Sequence, residues 1–309
     1  MYQGRGVHHV AVGVKSLAET RAFYCDVLDF TEIFVDFPRD EYPALKPVLR
    51  ASSAVYAAVL FSQPAGGIVL ELIEMFDPPS RPIRKAPTYG DIGVSKISIT
   101  VPDVDATHKE LKERVDWCIA PRSASIPGFG QYRFAYCKDP EGNLVELVSS
   151  SQLPVRQRFG GISWVGISVT DLDRSIAFYR KYLDFNKTFI EEHDRFSGLL
   201  DELTGHAGAQ MRSCLLANTE AEGMVELFEV TKPRGRSIPF AVRWGDYGYL
   251  QLCLNGRQGD DIREVASYFS QEGLEFLCEP QLMHDEKEGA FFYMRDPDGI
   301  PVEFLVFLK

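Results

Sequence analysis

Four glutamates in this sequence share one setting, because each stands between two apolar residues in a stretch typical of a β-strand. They are Glu71, Glu146, Glu226 and Glu303, within the sequences LEL, VEL, VEL and VEF. A glutamate flanked in this way is expected on the inner face of a sheet, where a carboxylate without a partner costs free energy. Buried carboxylates with partners move protons or bind cations. We therefore expect each of the four to have a specific partner.

A histidine pair opens the first apolar stretch, GVHHVAVGV at residues 6–14. Side chains alternate between the two faces of a strand, so the three valines after the pair share one face, which a helix should cover. His9 shares the other face with Ala11 and Gly13, whose small size indicates a face that lines a space. The same alternation predicts that His8 points with the valines, near the start of the strand.

The elements that must position these residues come from an internal repeat. Residues 10–30 (VAVGVKSLAETRAFYCDVLDF) match residues 165–185 (VGISVTDLDRSIAFYRKYLDF) at an offset of 155. YGDIGVSKISI (89–99) matches WGDYGYLQLCL (244–254) at the same offset, and YCKDPEGNLVEL (136–147) matches YMRDPDGIPVEF (293–304) at 157. Chance does not produce matches of this length, so the chain contains two related halves.

Each half divides again into two units. A unit begins with an alternating strand, continues with an amphipathic helix such as Ser16–Leu28, and closes with the strand that carries the glutamate. We predict an N-terminal half at 1–150 with units 5–78 and 90–150, a linker at 151–159, and a C-terminal half at 160–309 with units 160–232 and 245–309. The fold class is α+β: four βαβββ units pair into two cupped mixed β-sheets with the helices outside.

The composition is typical of a globular protein, with 45% apolar and 25% charged residues. The net charge of −11 argues against nucleic acid or an anionic membrane surface as a partner. No apolar run approaches the ~20 residues of a membrane span, and the first residues lack the pattern of a signal peptide. Six scattered cysteines without a CxxC pair are expected to be free thiols, which favours the cytoplasm.

The pattern HVAV…FYxxxLDF…DPxGxxVEL, read from residues 9–12, 23–30 and 139–147, resembles the vicinal-oxygen-chelate superfamily in its four-unit form. That superfamily includes glyoxalase I, methylmalonyl-CoA epimerase, extradiol dioxygenases and bleomycin-resistance proteins. The resemblance implies that two units form a cup and that residues of their first and last strands hold a divalent metal ion. It also implies that the residue before V-A-V, here His9, is a metal ligand.

The repeat gives the positions equivalent to His9 as Lys96, Trp164 and Gln251. If sequential units pair, the cups hold His9, Glu71, Lys96 and Glu146 in one, and Trp164, Glu226, Gln251 and Glu303 in the other. Lys96 would then place a positive charge where a cation should bind. If the first unit pairs with the fourth, one cup holds His9, Glu71, Gln251 and Glu303, and the other holds Lys96, Glu146, Trp164 and Glu226. We predict the second arrangement, because it collects every competent ligand in one cup.

The resemblance implies one divalent ion (Zn, Ni, Mn, Co or Fe) held by His9, Glu71, Gln251 and Glu303, with Glu71 and Glu303 as candidates for proton transfer. The expected function is that of a metal-dependent isomerase or epimerase. Its substrate would be a small vicinal-oxygen compound, such as an α-hydroxyketone or a cyclitol ketone like 2-epi-5-epi-valiolone, and the metal would stabilise an enediolate. Four units can complete both cups in one chain, so a monomer is feasible, and a homodimer stays open.

Three other functions remain open at this point. A metal-free binding or resistance protein would use an aromatic-lined cup around Trp164. An extradiol dioxygenase is disfavoured, because the positions matching its two histidines and carboxylate hold Trp164, Gln251 and Glu303. Glyoxalase I itself is open, although no residues mark a glutathione site. Lys96 also has the alternative of acting as a base or forming a Schiff base in its own cup.

Overall fold

The computed structural model describes residues 6–126, 128–193, 199–218, 223–256, 259–283 and 289–307, without the side chains of residues 192 and 193. Both predicted halves therefore extend slightly beyond the described residues at the chain ends. The fold is the expected α+β arrangement, in which four βαβββ units follow one another along the chain. In this part of the chain no helix is long and apolar enough to cross a membrane.

The first half contains two units. The first has β1 (Val7–Gly13), α1 (Leu17–Leu28), β2 (Glu32–Glu41), a 3-10 turn (Pro43–Leu45) with α2 (Lys46–Leu49), β3 (Val55–Gln63) and β4 (Gly66–Asp77). The second has β5 (Gly93–Thr100), α3 (Val104–Glu110), β6 (Asp116–Ile126), β7 (Gly130–Lys138) and β8 (Leu144–Ser149). The predicted linker at 151–159 contains no helix or strand.

The second half repeats this order. The third unit has β9 (Ile162–Ser168), α4 (Leu172–Leu183), β10 (Lys187–His193), α5 (Leu200–Thr204), β11 (Gln210–Ala217) and β12 (Met224–Lys232). The fourth has β13 (Gly248–Asn255), α6 (Ile262–Gln271), β14 (Phe276–Leu282), β15 (Gly289–Arg295) and β16 (Pro301–Phe307). The alternation predicts the first strands of the four units at 7–14, 94–101, 162–169 and 247–255, and each observed strand lies within one residue of these bounds.

Strand pairing decides which units share a cup. Strand β1 pairs antiparallel with β13, so the first unit pairs with the fourth, and β5 pairs with β9, so the second pairs with the third. The first cup has the strand order β2-β3-β4-β1-β13-β16-β15-β14, and the second has β6-β7-β8-β5-β9-β12-β11-β10. The predicted pairing is confirmed. One pair of residues, Ile68 on β4 and Ile162 on β9, joins the two cups into a continuous, unclosed sheet.

The helices cover the apolar faces of the strands, as the valine pattern predicts. Val10, Val12 and Tyr24 are fully buried in this helix-covered core. Helix α1 begins where the Ser16 hydroxyl accepts a hydrogen bond from the Glu19 N–H, and ends at Asp29 in the left-handed conformation. The capped helix closes one face of the sheet and leaves the other face as the inside of the cup.

Two buried tyrosines connect sequential units to each other. Tyr24 on α1 donates to Asp139 in the Asp-Pro-Glu-Gly turn of the second unit, at 3.1 Å. Tyr179 on α4 donates to Asp296 in the equivalent turn of the fourth unit, at 3.4 Å. The motif residues that the repeat analysis identified therefore hold together units that lie in different cups.

Candidate metal centre

Two rows of residues cross the inner face of the first cup. In one row Ala11 on β1 lies between Glu71 on β4 and Gln251 on β13. Residues opposite one another in neighbouring strands project to the same face. The small Ala11 side chain therefore leaves open space between a carboxylate and an amide, as the sequence pattern around His9 predicts.

The second row contains the histidine. His9 on β1 lies opposite Cys253 on β13, Cys253 lies opposite Glu303 on β16, and Glu303 lies opposite Tyr293 on β15. Four strands from two units that are far apart in the sequence thus bring His9, Glu71, Gln251 and Glu303 into one place. The sequence-predicted set is assembled, whereas its role as a metal-binding set stays a prediction.

The contacts within this set centre on one nitrogen atom. His9 Nε2 lies 3.3 Å from Glu71 Oε2 and 3.2 Å from Glu303 Oε2. All three side chains are buried, with His9 only 3% exposed and both glutamates 7% exposed. Two buried carboxylates on one imidazole form a strongly negative site that needs a cation or a proton.

Gln251 contacts the same site through hydrogen bonds of its side-chain amide. Its Nε2 donates to Glu303 Oε2 and meets the Tyr293 hydroxyl, each at 3.0 Å. A metal ion would bind the other atom of the amide, Oε1, because only that atom has a free lone pair. In the arrangement described here Gln251 orients Glu303, and a half-turn of the amide would present Oε1 in place of the NH2 group.

The geometry around His8 differs from the prediction. The β1–β13 register shifts between Val7 and His9, so His8 is the extra residue of a β-bulge. Its Nδ1 lies 2.8 Å from Nδ1 of His9, so the two rings meet instead of pointing to opposite faces. The expectation that His8 points with the valines is wrong, because simple alternation does not hold across a bulge.

The protonation states of the two histidines differ. Burial and the neighbouring His9 lower the pKa of His8 to about 3, so its ring is neutral. Burial also acts to lower the pKa of His9, but its contacts with Cys253, Glu303 and Glu71 raise it well above its usual value. Since burial raises the pKa of the Cys253 thiol to about 12, the thiol is uncharged at neutral pH and the two carboxylates hold the proton on His9.

Glu71 is shifted in the direction typical of a buried acid. Burial raises the pKa of Glu71, while its contact with His9 opposes the shift. A bound cation would remove the burial penalty on both carboxylates and displace the proton from His9.

The residues present fit a divalent ion. Among the described residues His9 Nε2 and Glu71 Oε2 are buried and, apart from the contacts of 3.2–3.3 Å within the site, have no hydrogen-bond partner. The spacing of 3.2–3.3 Å from His9 Nε2 to both carboxylates suits atoms that share one ion, because bonds of about 2.0–2.2 Å place neighbouring ligands roughly 3 Å apart. His9, Glu71 and Glu303 would hold the ion, with Gln251 as the fourth candidate.

His8, His9 and Cys253 form a second group of potential ligand atoms, which lie within 4.8 Å of one another. This group uses the other nitrogen of His9. It is a weaker candidate, because a hydrogen bond already joins the two Nδ1 atoms and the thiol would have to lose its proton. We therefore place the candidate ion on the Nε2 side, with His8 orienting the ring.

A cavity of about 120 Å³ opens above the ligand atoms. Tyr56, Trp244, Phe291 and Tyr293 contribute aromatic walls, and Tyr42 packs 4.4 Å from the Tyr56 ring, between centroids. The centre can therefore receive a small polar group between apolar walls.

The second cup carries the equivalent residues in a different state. Lys96 and Glu226 lie opposite Gly166, just as Gln251 and Glu71 lie opposite Ala11. Lys96 Nζ lies 2.7 Å from Glu226 Oε2 and also contacts Glu146. The ammonium group thus lies between the two carboxylates, which share its single positive charge.

Aromatic groups fill the rest of the second cup. Trp164 is fully buried at the position equivalent to His9, and its ring lies 6.4 Å from that of Tyr132. The hydroxyls of Tyr132 and Tyr136 each donate to Glu146 Oε1 at 2.8 Å. Lys96 thus contacts both glutamates of this cup and Trp164 fills its interior, whereas the absence of a metal site here stays a prediction.

The sequence did not predict the contacts of two residues in the first cup, Tyr293 and His8. Tyr293 contacts Gln251, and its repeat partner Tyr136 contacts Glu146, so the offset of 157 could have identified both tyrosines. No comparable signal was available for His8, whose position depends on a one-residue bulge.

The comparison with known proteins gives the same fold. Glyoxalase I from Zea mays matches with a TM-score of 0.62 and 18% identity, covering 97% of this chain and 92% of that one. A mutant of the same maize enzyme matches with a TM-score of 0.64 at the same identity and coverage. At this level of identity the likeness shows the fold alone.

Comparisons of sequence give one relative and one family match. The protein YaeR from Escherichia coli K12, described as uncharacterized, is 28% identical over 141 residues, which are 46% of this chain and 93% of YaeR. A single-half relative of this kind agrees with the internal repeat. The family model for the Glyoxalase/Bleomycin resistance protein/Dioxygenase superfamily matches residues 6–147 and again residues 161–304. The chain therefore belongs to the Glyoxalase/Bleomycin resistance protein/Dioxygenase superfamily.

Proposed function

We propose that this protein is a metal-dependent isomerase or epimerase that moves a proton at the carbon beside a carbonyl group in a small vicinal-oxygen substrate, such as an α-hydroxyketone. One observation carries the proposal. In the first cup, His9 Nε2 lies within 3.3 Å of two buried carboxylates, and two of these three atoms have no other hydrogen-bond partner among the described residues. A divalent ion bound there would act as a Lewis acid on the substrate oxygens.

Glu71 is the residue we propose for proton transfer. Its Oε2 is buried, and apart from His9 Nε2 at 3.3 Å no hydrogen-bond donor within the described ranges contacts it. Burial raises the pKa of Glu71, which makes the carboxylate a better proton acceptor than an exposed one. Glu303 is restrained by the amide of Gln251, so it suits a fixed ligand better than a mobile base.

His9 and the cavity walls have separate roles. The contact between His8 and His9 fixes the orientation of the His9 ring, and Nε2 therefore faces the carboxylates. The aromatic walls around Tyr56 and Trp244 exclude water from the reacting carbon, which strengthens every charge interaction in the cup.

The alternatives differ in what they require. An extradiol-type site would need Trp164, Gln251 and Glu303 in one place, but Trp164 lies in the second cup. A metal-free binding protein needs only the aromatic walls, and it would leave the carboxylates without a cation. We therefore favour the enzyme, and the binding protein is an outcome of the test below.

The test is hydrogen exchange at carbon. Protein loaded with Mn²⁺ or Zn²⁺ is incubated in D2O with dihydroxyacetone and with larger hydroxyketones, and loss of the C–H signal is followed by NMR. We expect metal-dependent exchange that Glu71→Gln lowers at least a hundredfold per bound metal ion, with the metal content of each variant measured beside the rate. Glu32→Gln, which removes the same charge from an exposed position on β2, should behave like the wild type.

Two results would contradict the proposal. The first is an absence of exchange for every hydroxyketone with metal bound. The second is tight binding of small ligands by protein that takes up no metal, which would assign the cup to a binding protein.

A further inference from the structure

A second cavity adjoins the candidate metal centre. It measures about 280 Å³ and shares Trp244 and Tyr293 with the cavity above His9, and Gln251 also lines it. Its remaining wall contains four arginines, Arg50, Arg81, Arg243 and Arg295. We infer that this arginine cavity binds an anionic oxygen group, a carboxylate or a phosphate, carried by the substrate at some distance from its vicinal oxygens.

The charges in the arginine cavity are not balanced. Arg81 and Arg243 share a single buried carboxylate, Asp246, at 3.4 and 3.7 Å. Arg295 lies 3.5 Å from Glu275, whose side chain is 70% exposed, so that pair is largely screened by solvent. The four guanidinium groups thus exceed the acids that face them.

Arg50 has the least compensation. Its hydrogen bond to the carbonyl of Leu277 is long, at 3.4 Å. Among the described residues no carboxylate lies within 4 Å of it, and its own backbone is in the left-handed conformation at the end of α2. A cation that lines a cavity without an acid partner is a natural contact for an anion.

The other guanidinium groups are held by neutral atoms. Arg81 stacks 3.6 Å from the Phe240 ring centroid and donates to the Ala241 carbonyl at 2.9 Å. Arg243 donates to the Pro79 carbonyl at 3.0 Å, while its buried Nε has no acceptor among the described residues. Such contacts fix a guanidinium in place without cancelling its charge, so little side-chain entropy is lost when an anion binds.

The position of this cavity adds an anionic group to the substrate of the proposed function, and this part of the inference rests on that function. Trp244 and Tyr293 line both cavities, and Gln251, which lines the arginine cavity, donates to Glu303 at 3.0 Å. A substrate that spans both cavities would place its reacting oxygens by His9 and its anionic group by the arginines.

The experiment measures anion binding on metal-free protein, so it does not depend on the metal or on catalysis. Inorganic phosphate and malonate are titrated separately at low salt by calorimetry. We expect saturable binding of at least one, and the tighter of the two identifies phosphate or carboxylate as the recognised group. Added salt should weaken the binding. The double variant Arg50→Gln/Arg243→Gln should bind at least tenfold more weakly, because two charge-assisted contacts are lost.

The control is Arg180→Gln, which removes an arginine from the outer surface of α4 and should bind as the wild type does. Thermal melting of each variant verifies that it is folded. The inference is overturned if neither anion saturates, or if the folded double variant binds as tightly as the wild type. Anion binding without any hydrogen exchange on hydroxyketones would retain this site and refute the proposed reaction, so the two failures are distinguishable.

Discussion

Replacing Lys96 by methionine tests how the second cup compensates its buried charges. Methionine keeps much of the length and apolar volume of the lysine stem but has no ammonium group. Lys96 is fully buried, lies 2.7 Å from Glu226 and also contacts Glu146. The variant therefore leaves two carboxylates in the interior without their shared cation.

The expected loss of stability is large. Removing one partner of a buried ion pair costs about 3–5 kcal/mol, because the remaining charge is buried without compensation. Glu146 retains hydrogen bonds from Ser98, Tyr132 and Tyr136, at 2.5–2.8 Å, which reduces the cost at that residue. Glu226 accepts a hydrogen bond from Ser213 at 3.0 Å. We therefore expect a loss of ~3–5 kcal/mol in the free energy of unfolding.

Urea unfolding followed by far-UV circular dichroism measures this loss. The matched control is Lys181→Met, which breaks an exposed pair with Glu272 and should change stability little. The variant Lys96→Met/Glu146→Gln/Glu226→Gln removes every charge of the cluster and should recover part of the loss. A Lys96→Met protein within about 1 kcal/mol of the wild type, or a triple variant less stable than the single one, would refute this reasoning.

Three further predictions concern other parts of the fold. His8→Phe should weaken metal binding at His9 by about 10–100-fold, because the His9 ring loses the contact that orients it. Competition with a chelator dye measures this affinity, and a variant that binds the metal as tightly as the wild type would refute a positioning role for His8. Burial raises the pKa of Asp296 to about 7, so the folded protein keeps a proton that the unfolded chain releases, and the free energy of unfolding should fall as pH rises from 4 to 7. In urea titrations Asp296→Asn should remove up to ~4 kcal/mol of that fall, and an unchanged slope would contradict the assignment. Gly166→Ala should cost about 1–3 kcal/mol by thermal melting, since a Cβ there would lie 2.6 Å from Lys96 Cγ; a neutral effect would mean that the lysine stem can move aside.

The repeat made much of the first cup predictable from the sequence. The offset of 155 aligns His9 with Trp164 and Lys96 with Gln251, and only the pairing of the first unit with the fourth puts His9 beside a compatible amide. The chemistry of the ligands therefore indicates which units pair, and the observed strand pairing agrees with it. The division into halves at 151–159 and the ligand roles of the four residues stay predictions.

Three features could not be predicted from the sequence, for physical reasons. The bulge at His8 inserts one residue into a ladder, and here no glycine marks it. The orientation of the Gln251 amide depends on Tyr293 and Glu303, which come from other strands. The arginines of the arginine cavity lie at positions 50, 81, 243 and 295, so no local sequence motif predicts it.

The central claim is that one cup binds a metal ion and the other has replaced it with a lysine. The most direct measurement is the number of divalent ions bound per chain, by elemental analysis after Mn²⁺ or Zn²⁺ loading and gel filtration, for the wild type, His9→Ala and Lys96→Met at a temperature where all are folded. We predict about one ion per chain for the wild type and Lys96→Met, and none for His9→Ala. A wild type that binds no ion, a wild type that binds two, or a His9→Ala variant that still binds one would contradict the account.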